Sequence, residues 1–91
     1  MAVENTDVGT LASGVVTTVT FNNPKYTVNI ENRGTVNIYV RLDGTNPAVD
    51  TDESYLVRAG GAKTFSLQVP VTVVKLIATG TPDFNVEGEP T

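Results

Sequence analysis

The sequence predicts an all-β fold, a small β-sandwich or jelly-roll-like barrel of seven to eight short antiparallel strands. Three observations lead there. Val and Thr make up 29 of the 91 residues, and both are β-branched, stiff at χ1 and better placed on a pleated sheet than in a helix. Several runs put an apolar side chain at every second position, the spacing that lines one face of a strand. Turn residues recur about every 8 to 12 positions with no helical period between them, the rhythm of small two-sheet proteins.

Met1 to Asp7 is polar and aperiodic and reads as a flexible N-terminal arm, residues 1–7, ahead of a single domain over 8–91 that ends in a polar tail. Val15, Thr17, Val19 and Phe21 share one parity and predict a first strand, which Asn22, Asn23 and Pro24 break. Tyr26, Val28 and Ile30 repeat the pattern and are expected to face the core together. Asn32 to Thr35 then offers Gly34 at a position where a tight hairpin turn takes positive φ. In Val36 to Leu42 the aliphatic set Val36, Ile38, Val40 and Leu42 alternates with Asn37, Tyr39 and Arg41, the cleanest amphipathic strand in the chain.

Tyr55 to Arg58 reads as a short strand ended by the turn Ala59 to Ala62, with Phe65, Leu67 and Val69 as its hairpin partner. Pro70 has no N–H to give to a ladder, so it marks an edge, a bulge or a crossing between sheets. Val71 to Ala78 follows as a nearly continuous apolar strand, and Gly80 to Pro82 turns the chain into a last short strand holding Phe84 and Val86.

Composition narrows the function. A chain of this length buries only a little over roughly 60% of its unfolded surface, so its core is thin and a partner would add burial. There is no Cys, His or Trp, which removes disulfides, thiolate or imidazole metal sites and the commonest acid–base residue. A formal charge of −4 and a pI near 4.5 oppose phosphate neutralisation, so no nucleic acid is expected as partner. The longest uncharged apolar stretch, Val69 to Val74, falls far short of the about 20 residues that cross a bilayer, and the N-terminus is acidic where a signal peptide is basic. The expectation is a soluble protein made in the cytosol, with no membrane partner.

Asp43, Asp50, Asp52 and Glu53 crowd one loop, and oxygen ligands on a flexible loop suit Ca²⁺. Their spacing does not follow the twelve-residue helix–loop–helix pattern, and acids in turns are mostly hydrated or bonded to backbone N–H groups, which favours a solvated loop. No metal and no cofactor are assigned. A nucleophile would have to be Ser13, Ser54 or Ser66, none in a nucleophile elbow, and paired carboxylates need a concave pocket that a thin domain has little room for. No catalytic residue is assigned, and Gly60-Gly61, with no helix after it, is a turn and not a phosphate loop. Of the three tyrosines, Tyr26 has core parity, whereas Tyr39 and Arg41 share the outer face of their strand and form a candidate contact pair.

The order Tyr39-Val40-Arg41-Leu42-Asp43-Gly44-Thr45, then Tyr55-Leu56-Val57 and Ala59-Gly60, then Leu76-Ile77-Ala78-Thr79-Gly80 resembles small structural proteins of tailed-bacteriophage virions, over about Val28 to Val86. Several such β-sandwich proteins are head-decoration or cement proteins. The resemblance implies a non-enzymatic protein on the capsid exterior, made in the host cytoplasm, a homo-oligomer with a trimer favoured, whose partner is the major capsid protein and which bridges neighbouring capsomers. Under that reading the arm, with Ala2, Val3 and Glu4, orders on the shell, and Tyr39 and Arg41 form a sheet-face contact. A receptor- or carbohydrate-binding module of a tail or fibre, using the tyrosines and the acidic loop, is the alternative.

Overall fold

The computed structural model describes residues 2–49 and 54–91. Six strands form one open antiparallel sheet, and no helix occurs among the described residues. The strands are β1 (Thr6–Thr10), β2 (Thr17–Asn32), β3 (Ile38–Arg41), β4 (Tyr55–Val57), β5 (Ala62–Ala78) and β6 (Asp83–Glu89), in spatial order β1-β6-β2-β5-β3-β4. The all-β reading holds. The count of seven to eight short strands does not, because the runs read as separate strands on either side of Asn22-Asn23-Pro24 and of Pro70 are halves of two long ones.

Those two strands organise the molecule. β2 and β5 pair from Thr17↔Leu76 to Thr20↔Val73, lose register around Lys25↔Val71, and resume from Thr27↔Ser66 to Glu31↔Ala62. Turn residues that would end a strand instead bend both strands at the same level, and Pro70 sits in the irregular segment where its missing N–H removes no regular bond. The inward parity changes across the bend. In β2, Val19 and Phe21 are buried before it and Val28 and Ile30 after it; in β5, Phe65 is buried before it and Val74, Leu76 and Ala78 after it. The same sheet face thus stays turned toward the core as the sheet curls. The shortest axis, 22 Å, is about twice the 10 Å spacing of packed sheets, so the sheet does not lie flat.

The bend also overturns the expectation for Tyr26. It shares parity with Val28 and Ile30, yet it is 42% exposed, because the register shift between Lys25 and Thr27 falls on it and Lys25 takes the inward place. Lys25 is buried there. Its Nζ donates to Asn5 Oδ1 at 3.0 Å and lies 5.7 Å from the centre of the Phe21 ring. Gly88 of β6 runs beneath this pair: a Cβ on it would meet Lys25 Cγ at 2.6 Å and Phe21 Cζ at 2.9 Å.

Strand order departs from two hairpin expectations. β2 and β3 are not neighbours, and Asn32 to Thr35 carries a crossover rather than a tight hairpin. Gly34 has no positive φ; its bareness is needed because Pro82 packs against it, with a Cβ there lying 2.3 Å from Pro82 Cβ. β4 pairs with β3, in the register Ile38↔Val57 to Val40↔Tyr55, and not with β5. The turn before β5, where Gly60 has φ 73°, delivers that strand to β2 instead, and Asn32 N–H donates to Gly61 O at 2.8 Å.

The crossover is held by one buried side chain. Asn32 Nδ2 donates to Val36 O at 2.7 Å and to Val57 O at 3.0 Å, while its Oδ1 accepts from Gly34 N–H at 3.0 Å. β6 lies between β1 and β2, so the last short strand, expected in a polar tail, is an interior strand with Phe84 and Val86 in the core. Of the residues read as an arm, Thr6 and Asp7 belong to β1 and Val3 makes a parallel bridge to Phe21.

Candidate functional site

The end of β3 runs into Asp43-Gly44-Thr45, where Gly44 takes φ 86° and closes a tight turn that favours glycine. Asp43 Oδ1 accepts from Thr45 N–H at 3.1 Å and from Thr45 Oγ1 at 2.5 Å, the side-chain turn that Asp forms with the backbone two residues on. Its other oxygen accepts from Arg41 Nη2 at 2.5 Å. The Arg41 bond, then the two Thr45 bonds and the guanidinium charge, hold the Asp43 carboxyl well below the usual carboxylate range.

Arg41 and Asp43 edge a cleft of about 270 Å³ whose apolar side is made by Tyr55, Phe65, Leu67 and Val71. Tyr55 and Phe65 meet edge to face, with ring centres 5.1 Å apart and planes at 69°. Tyr55 comes from β4 and Phe65 from the far half of β5, so the curl of the sheet creates this contact. Tyr55 keeps 53% of its surface exposed. The cleft therefore offers an aromatic surface beside a fixed ion pair.

One consequence is measurable. A carboxyl ¹³C titration should put Asp43 well below about 3.9, the ordinary Asp value, and Arg41→Gln should move it back toward that value. The folded value being the lower one, the stability this turn contributes is complete above about pH 3.9 and fades as pH falls from there. An unshifted Asp43 would show that the ion pair does not form in solution.

Tyr39 and Arg41 do share the outer side of β3, Tyr39 opposite Ile77 and Leu56 and Arg41 opposite Lys75. They border different depressions, however: Tyr39 lies with Thr35, Val36, Asn37 and Thr79, apart from the Arg41 cleft. Val3 donates its N–H to Thr20 O and accepts from Asn22 N–H, both at 2.8 Å, while Ala2 and Glu4 are exposed on either side. Of the acidic loop, Asp43 is engaged as above, and Asp50, Asp52 and Glu53 lie outside the described residues. Among the described residues no group of three or more His, Cys, Asp or Glu side chains converges to hold a metal.

Ser13 Oγ donates to Thr79 O at 2.7 Å, Ser54 Oγ accepts from Ala48 N–H at 3.2 Å, and Ser66 is exposed on β5. Sequence reasoning missed the Tyr55–Phe65 pair and buried Lys25. Both depend on the bend, which no local pattern announces. No family model, curated protein or solved structure matches the chain.

Proposed function

We propose that this chain is a non-enzymatic structural protein of a phage virion, which binds the outer surface of the capsid shell and reinforces contacts between major capsid subunits. The motif order at Tyr39–Thr45, Tyr55–Gly60 and Leu76–Gly80 supports it. The carrying observation is the distribution of unmet surface: polar groups such as Asn32, Lys25 and Asp43 are satisfied within the chain, while Val8, Val15, Tyr26, Tyr55 and Val69 remain exposed. Tyr26 and Val69 sit on the two facing bends, on the outside of the curl. Such apolar side chains gain most from a partner that covers them, and that burial would raise apparent stability on assembly.

In this reading the bend divides the sheet into two layers of a small sandwich, β4, β3 and the inner halves of β5 and β2 against β1, β6 and the remaining halves. The protein is made in the host cytoplasm and ends on the capsid exterior. Purified protein mixed with expanded capsids should co-sediment at a saturating, fixed copy number. Absence of binding to any capsid form sinks the proposal.

The cleft favours a second reading, a carbohydrate-binding module of a tail or fibre. An exposed ring beside a fixed guanidinium–carboxylate pair can stack on the apolar face of a sugar and bond its hydroxyls. A glycan array, with and without Ca²⁺, separates the two. Specific signal abolished by Tyr55→Ala favours the sugar reading, and a silent array with capsid binding removes it.

A further inference from the structure

β1 lies at one open edge of the sheet. β1 pairs with β6 from Thr6↔Glu87 to Thr10↔Asp83. At the two ends of this ladder, Gly88 N–H donates to Asn5 O at 2.8 Å and Leu11 N–H donates to Pro82 O at 3.0 Å. Residues of an antiparallel strand bond to a given neighbour alternately. Asn5 and Leu11 therefore set the phase: Asp7 and Gly9 bond toward β6, and the N–H and C=O groups of Thr6, Val8 and Thr10 point away from it. β1 ends the strand order, so these groups meet no strand among the described residues.

Unpaired edges are usually blunted by a proline, a bulge or a charge. Asp7 is the one charge on β1; Thr6, Val8 and Thr10, whose bonding groups face outward, carry none of these, are good strand formers, and Val8 is 59% exposed. We propose that the β1 edge joins two copies of this chain as a two-fold antiparallel pair centred on Val8, making one continuous sheet across the dimer.

The charge pattern selects that register. With Val8 opposite the second copy's Val8, Thr6 falls opposite Thr10, and all three outward residues form hydrogen-bonded pairs. Asp7 then faces Gly9, against which the Phe84 ring packs, so the two Asp7 carboxylates are kept apart. A two-fold axis on Asp7 would set two carboxylates face to face, and one on Gly9 would strand Thr6. In the chosen register the outer acids of β6, Glu87 in one copy and Asp83 in the other, stand three strand spacings apart, about 14 Å, beyond the screening length at physiological salt. Among the described residues the opposite edge offers the three residues of β4 and the first half of β5, which β3 leaves unpaired and which carries Lys63. Antiparallel self-pairing is two-fold, so it yields a dimer and not the trimer that the family resemblance implies.

The inference goes beyond the capsid proposal, since it concerns the free protein. Sedimentation equilibrium on the full chain, up to about 1 mM to cover contacts below 1,200 Å², should show a monomer–dimer equilibrium. Val8→Pro removes the N–H at the two-fold axis, and proline is tolerated on an edge strand where that N–H faces solvent. Val8→Lys places two ammonium groups against each other and leaves the β1–β6 ladder intact, so it decides the matter if the proline variant melts. Each folded variant should weaken dimerisation at least tenfold. A wild-type chain that stays monomeric across the range, a trimer, or a dimer indifferent to Val8→Lys would overturn the proposal.

Discussion

Asn32→Leu should lower the folding free energy by about 3 kcal/mol or more, although the replacement is close in size and more apolar. Asn32 is 1% exposed, and its amide satisfies Val36 O, Val57 O and Gly34 N–H at once. Leu would strand three backbone groups in a place water does not reach, each costing about 1–3 kcal/mol, with partial overlap because they share one network. The melting temperature of a chain this size would fall by about 12 °C or more. Urea unfolding should give a lower midpoint with an unchanged slope. A loss under about 1 kcal/mol would mean that the crossover finds other hydrogen bonds and that Asn32 does not clamp it.

Gly34→Ala should cost a comparable amount, about 3 kcal/mol, at the upper end of the range for overpacked sites. The backbone conformation is not the reason, since Gly34 lies outside the left-handed region. A new methyl carbon would lie 2.3 Å from Pro82 Cβ and 2.6 Å from Pro82 Cα, and the latter is backbone that cannot swing aside. Pro82 is also where Leu11 N–H finds its acceptor, so displacing it loosens the lead into β6 as well. Asn32 bonds Gly34 directly, and the double variant should therefore lose less than the sum of the two. Additive losses would contradict the shared network.

Local chemistry made much of this fold readable in advance. The alternation of Ile38 and Val40 against Tyr39 and Arg41 describes β3, although the strand is shorter than the Val36 to Leu42 run, since side-chain parity depends only on the strand itself. Val28 and Ile30 were legible as core for the same reason, whereas Phe84 and Val86 showed only as a short alternating pair. Pro70 was legible as an interruption because its missing donor must fall outside a regular ladder.

What stayed hidden depends on distant partners. Asn22-Asn23-Pro24 has the same chemistry whether it ends a strand or bends one, and only the matching irregularity in β5 decides for a bend. Tyr26 was misjudged for that reason, its parity being reset where the register slips. Gly34 suggested a hairpin because glycine marks both turns and close approaches, and the approaching residue, Pro82, is remote in sequence. At the cleft, Arg41 and Asp43 are two residues apart and their pairing is local, whereas the Tyr55–Phe65 contact exists only once the sheet has curled.

As proposed, this molecule acts by the surface it covers on a capsid shell. A cryo-EM reconstruction of capsids saturated with the protein tests it most directly. Density for a curled six-stranded sheet is expected at regular positions on the outer surface, straddling contacts between major capsid subunits, with exposed residues such as Val8, Tyr26 or Val69 covered. Bare shells at saturating protein, or density confined to the tail, would contradict it.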